Sequence, residues 1–137
     1  MDTRVTDLST TEATAAQMYR TLAAAVDAPD PTLVLVEAWR RHAHIHTEGQ
    51  GDAERWRRWW DDRGASHWAA DTSTYDDGRR VHHYLTGQWR GWTISLTWIV
   101  TVTPTTCPCG APAEIHRQHD GTTTVVCAAT QSREEEQ

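Results

Sequence analysis

At 137 residues the chain holds one hydrophobic core and is too short for two. A formal net charge of −6 excludes a general phosphate-backbone binder, which needs an electropositive surface. Three cysteines, an odd count, exclude a complete intramolecular disulfide framework, no stretch nears the roughly 20 apolar residues of a membrane span, and Met1–Ser9 lacks the apolar core of a secretory leader, so a soluble cytoplasmic chain is expected.

In chain order, Ser9-Thr10-Thr11-Glu12 fits a capping box. Behind it Ala15, Tyr19, Leu22 and Val26 recur at helical spacing and predict a helix near 10–27. Ala28-Pro29-Asp30-Pro31 ends it. Asp30 as a cap with Pro31 at the first helical position predicts a second helix near 31–46, although the β-branched run Thr32–Val36 also admits a short strand. Gly49-Gln50-Gly51 breaks the chain, and Asp52 opens a third helix over 53–63 that Gly64 closes. Trp56, Trp59, Trp60 and Arg63 fall at i, i+3, i+4 and i+7 of it, on one face.

From Ser66 the period becomes two. Strands are predicted over 66–75 and 79–86, joined at the turn Asp76-Asp77-Gly78, and then over 92–103. There Trp92, Ile94, Leu96, Trp98, Val100 and Val102 alternate with polar residues, the half-buried antiparallel pattern. Pro104 ends that strand, and 113–118 and 122–128 flank the turn His119-Asp120-Gly121. Helices followed by strands predict an α+β fold: two or three N-terminal helices packed on one face of a curved antiparallel meander sheet of four to five strands. The expected organisation is one domain over 1–130, with a helical part (9–64), a sheet (66–103) and a cysteine-containing hairpin (107–128). The acidic tail 131–137 is expected to be disordered.

The Trp stripe sits beside Arg55, Arg57 and Arg58, which invites a membrane-surface or nucleic-acid reading. From Asp52 to Arg63, however, four arginines meet four acids, so the cationic polar face of an interfacial helix is missing. The indoles are expected to be core. The chain contains no lysine, so an arginine preference by itself carries no phosphate signal. Arg40, Arg41, Arg55, Arg57 and Arg58 remain the candidate local basic patch.

His42, His44 and His46 stand at spacing two. On a strand all three share a face, while on a helix only His42 and His46 do. His42, His46, His67, His82, His83 and Asp71 are the candidate acid–base groups, since imidazoles and perturbed carboxylates transfer protons near neutrality. An enzyme built on them requires that they converge around a pocket at the open end of the sheet. His46-Thr47-Glu48 with Cys107-Pro108-Cys109 departs from the zinc-deaminase pattern, which needs Pro-Cys-x-x-Cys and an H-x-E that opens a helix.

Cys107-Pro108-Cys109-Gly110 looks like the turn of a zinc knuckle, and resembles part of a zinc ribbon over about 20 residues. With Cys127 and a histidine, His119 or His116, it makes a candidate structural zinc site. No phosphate loop, nucleophile elbow or paired-carboxylate signature is present. The sequence favours a non-catalytic binding module with a protein or small-ligand partner. A small His/Asp enzyme and a zinc-stabilised nucleic-acid-associated protein stand behind it.

Overall fold

The computed structural model describes residues 12–127. The Ser9 cap and the tail 131–137 lie outside the described residues. Helix α1 (Ala15–Ala23) opens on a different capping box, at Thr14. The Thr14 hydroxyl accepts the Gln17 N–H at 3.1 Å, and the Gln17 side-chain oxygen accepts the Thr14 N–H at 2.7 Å. The helix buries Met18 and part of Leu22, whereas Tyr19 and Val26 stand exposed, so the inward stripe is rotated from the one the spacing suggested.

The predicted helix at 31–46 does not form. Instead β1 (Leu33–Glu37) and β2 (His42–His46) make an antiparallel hairpin, turned by a short 3-10 segment. Two local signals outweigh the Asp-Pro cap: the β-branched run of β1, and the period of two in His-Ala-His-Ile-His, which buries Ala43 and Ile45 on one side. Helix α2 (Gln50–Asp61) follows, and then β3 (Ser66–Tyr75), β4 (Arg80–Trp89), β5 (Trp92–Thr106), β6 (Pro112–Gln118) and β7 (Thr123–Cys127).

These seven strands form one sheet in the order β1-β2-β5-β4-β3, with β6 pairing β5 and β7. The expected antiparallel meander of four to five strands under two or three helices is therefore overturned. The described chain is mostly strand with two α-helices, and its sheet is mixed, because β2 runs parallel to β5 from His42↔Thr93 to His46↔Thr97. Strand β5 organises the whole. It pairs β4 along one edge, while its other edge is shared between β2 at residues 93–97 and β6 at residues 100–106.

The even-numbered residues of β5 from Trp92 to Val102 are buried with Ala43, Ile45, Met18, Trp89 and the α2 stripe. Trp56, Trp59 and Trp60 are 2%, 5% and 0% exposed, so the indoles are core. Each takes roughly 150–250 Å² out of water, about 4–6 kcal/mol of gross burial at about 25 cal/mol per Å², against which chain ordering works. Rings meet edge-on, Trp59 to Trp60 at 4.9 Å, with Trp60 tilted on Trp89 at 5.3 Å. Several indole N–H groups are satisfied across elements: Trp59 donates to Asp27 at 2.9 Å, Trp89 to the Arg63 carbonyl at 3.1 Å, and Trp92 to the Ala13 carbonyl at 2.7 Å.

Candidate functional site

Residues paired across neighbouring strands point to the same side of a sheet. Both helices pack on the side of the even-numbered β5 residues, so neither described helix covers the other side, where Ser95 and Thr97 are buried between neighbouring strands. The register places on that other side Leu33, Leu35 and Glu37 of β1, His42, His44 and His46 of β2, and Thr93, Ser95 and Thr97 of β5. Across β5 lie His82, Tyr84 and Thr86 of β4, and beyond them Asp71 of β3. Four imidazoles thus share one face, because a strand repeats every two residues and the register sets His46 level with Thr97 and, across β5, with Tyr84.

The His42 and His44 rings stack at 3.9 Å. His42 Nε2 shares a 2.6 Å hydrogen bond with Ser95 Oγ, and His44 Nε2 meets Glu37 Oε1 at 2.7 Å. That bond, foremost, holds the Glu37 carboxyl below its usual range. Partial burial, and then the neighbouring His44, push His42 and His46 down, with His82 adding to the effect at His46. On β4, His82 lies 4.5 Å from the Tyr75 ring. A hydrogen bond with Tyr75, followed by burial, raises the Tyr84 phenol. The hydroxyl of Thr97 is buried without a partner among the described residues. Near neutral pH the depressed histidines of this face are uncharged proton acceptors.

Of the candidate acid–base residues, His42, His46, His82 and Asp71 come to this face. His83 does not: it stacks on Trp98 on the core side, at 5.0 Å, and burial lowers it. His67 sits exposed where β3 bulges, with its Nδ1 at 2.9 Å from Ser66 Oγ. The convergence is across the sheet face that neither described helix covers. The two described grooves lie elsewhere, one of about 610 Å³ between α1 and Arg63, Trp89 and Arg90, the other of about 230 Å³ beside Asp27, Trp59 and Asp62. Glu37, Ser95, Tyr84 and Thr97 were not among the candidates, and His44 was one only as part of the His42–His44–His46 strand face, not as an acid–base group. The H-x-H-x-H alternation signalled His44, but nothing local marked residues brought in by the ladder.

The cysteines form a second cluster. Cys107, Cys109 and Cys127 hold their sulfurs within 4.8 Å of one another, close enough to hold a metal ion, but Cys107 and Cys127 are joined as a disulfide. Their Cα atoms are 6.1 Å apart, inside the usual range for a bridge. The expected fourth ligand does not join them. Cys127 pairs with Ala113 at one end of the β6–β7 hairpin, whereas His119 lies in the turn at the other end, roughly 20 Å along the strands. His116 is turned to Glu114 at 3.1 Å. Among the described residues no helix is long and apolar enough to cross a membrane. The expected cytoplasmic setting sits uneasily with the bridge, because disulfides persist mainly in oxidising compartments.

Four of the five arginines of the candidate patch meet carboxylates. Arg40 meets Glu37, Arg41 meets Glu12, Arg55 meets Asp52 and Arg57 meets Asp61, at 3.4, 2.6, 3.7 and 3.8 Å. Arg58 borders a groove with Asp27 and Asp62.

The chain matches no family model, no curated protein and no solved structure. The functional reading therefore rests on its own geometry.

Proposed function

We propose that this chain is a non-catalytic interaction module that docks through the sheet face its helices leave open, with a second copy of itself as the partner. The supporting observation is where exposed apolar side chains fall. Of the eight large hydrophobic residues exposed among the described ones, four (Leu33, Leu35, Tyr75 and Val125) sit on that face by register. They lie on the outer strands β1, β3 and β7, around a polar centre of His, Ser and Thr side chains, and an apolar rim of this kind supports a docking surface. The same face carries two carboxylates, Glu37 and Asp71, and two guanidinium groups, Arg80 and Arg117. A formally balanced face on a chain of net charge −6 suits like-on-like packing about a two-fold axis, where each patch meets its own copy.

Sedimentation velocity from micromolar to near-millimolar chain tests this. The expected result is reversible dimer formation that Leu35→Arg abolishes, with the variant keeping wild-type stability within about 0.5 kcal/mol as an exposed position should. A wild-type chain that stays monomeric across the range overturns the proposal.

The acid–base enzyme has the four clustered imidazoles in its favour, but catalytic groups need an enclosed pocket to exclude water, and the described grooves lie away from them. In the interaction reading the cysteine hairpin is an architectural clasp, closed by its disulfide or by zinc.

A further inference from the structure

We infer that Cys107, Cys109 and Cys127 form a redox-gated zinc site: three thiolates hold the ion when the hairpin is reduced, and the Cys107–Cys127 bridge expels it when oxidised. The inference rests on reading this hairpin as a structural clasp and extends that reading to its regulation.

The loop is built to hold three sulfurs together. The Cys107 N–H donates to the Ala111 carbonyl at 2.8 Å and the Gly110 N–H donates to the Cys107 carbonyl at 2.8 Å, with Gly110 at φ +88°, a left-handed conformation glycine adopts without a side-chain clash. These bonds fix Cys109 beside its neighbour. The third cysteine arrives from a different strand, by the Ala113↔Cys127 pairing. The result is a free Cys109 whose sulfur lies 3.9 Å from that of Cys127. Two thiolates on one tetrahedral zinc at about 2.3 Å each stand roughly 3.8 Å apart, so this pair already has ligand spacing. Cys107 needs only release from the bridge to complete the set. With His119 at the far end of the hairpin and His116 on Glu114, the fourth tetrahedral position falls to water or a small anion.

The two states exclude each other because they use the same two sulfurs. A dithiol reductant supplies two electrons to the Cys107–Cys127 bond, becomes a disulfide itself and leaves two thiols. Zinc then binds the three cysteines as thiolates, releasing three protons. In the reverse direction a low-molecular-weight disulfide is the oxidant. One cysteine thiolate attacks it and displaces a first small thiol. The second cysteine thiolate attacks that mixed disulfide, displaces the second small thiol and closes the bridge, so zinc loses two ligands and departs.

Cobalt(II) titration of the full chain, read by thiolate-to-metal charge-transfer absorption, tests the site and the gate separately. Reduced wild type is expected to bind one equivalent, displaced by zinc. Oxidised wild type should show no such band, and reduced Cys109→Ser should bind at least tenfold more weakly. Oxidised glutathione added to the zinc-loaded chain should release zinc to a chromophoric indicator. No charge-transfer band in reduced wild type overturns the site itself. A band in fully oxidised chain, or zinc retained after the bridge has closed, leaves the clasp standing and overturns the gate. If reduction unfolds the hairpin by far-ultraviolet circular dichroism, refolding on zinc addition supports the site, and failure to refold or bind overturns it.

Discussion

At the scale of single residues, the histidines carry a pH dependence whose sign follows from their surroundings. His42, His46 and His83 are all held below the ordinary imidazole value, by burial first. The unfolded chain therefore binds protons more readily than the folded one as acid is added. Their contribution to stability is whole above about pH 6.5, the value of a free imidazole, and is lost as pH falls through the depressed folded values. The midpoint of urea unfolding should be level from pH 8 to pH 7 and drop between pH 6.5 and pH 5. A flat or rising midpoint over that interval contradicts the burial of these rings. Glu37, also held down, adds its loss in the same direction at lower pH. Buried indoles show the cost of the opposite arrangement. The Nε1 groups of Trp56 and Trp60 have no partner among the described residues, and each such buried donor costs about 1–3 kcal/mol that ring packing must offset.

At the scale of elements, β4 and α2 are locked by a contact that depends on the absence of a side chain. A Cβ at Gly87 would come within 2.6 Å of the Trp68 ring, and that ring is itself held by a 2.7 Å bond from its Nε1 to Asp61 at the end of α2. Gly87→Ala is expected to destabilise by about 1–3 kcal/mol, the usual range for forcing atoms into a packed contact. It should also shift the Trp68 indole N–H resonance as the bond to Asp61 is strained. An unchanged resonance and unfolding midpoint would show that Trp68 does not lie on β4. Such local features were partly legible in the sequence. The strand over 66–75 and the Trp-striped helix were readable because each declares itself within one window, by period or by stripe. The β1–β2 hairpin was not, because Asp30-Pro31 mimics a helix start. The signal that decides it, alternation in His42–His46, becomes compelling only with β5 alongside to bury Ala43 and Ile45. A parallel ladder between residues some fifty positions apart has no local signature.

At the scale of the whole molecule, the same limit explains the candidate site. Each imidazole was visible as a residue type, yet the gathering of His42, His44, His46 and His82 on one face is a property of strand order. Thr97, Tyr84 and Glu37 join them only through register. If this face is the docking surface, its histidines tie assembly to acidity. His42 and His46, held below the ordinary imidazole value by burial first, gain positive charge as pH falls below that value, so two copies brought face to face would repel. Dimer dissociation should strengthen at least tenfold from pH 7.5 to pH 5 by sedimentation, and a salt rise at pH 5 should recover part of the affinity by screening. Association that tightens on acidification would place the contact elsewhere.

The β6–β7 hairpin has a mechanical character of its own. Its root is gathered at the three cysteines, and its tip is tied back to the start of α2, where the Asp120 N–H reaches the Glu48 carbonyl at 3.0 Å and Gln118 Oε1 receives the Gln50 N–H at 2.7 Å. Between these two ends β6 is paired with β5 along its whole length, from Val100↔Gln118 to Thr106↔Pro112. The tip therefore meets the opening of the helix that carries Trp56, Trp59 and Trp60, so the hairpin borders both the sulfurs and the start of the tryptophan stripe.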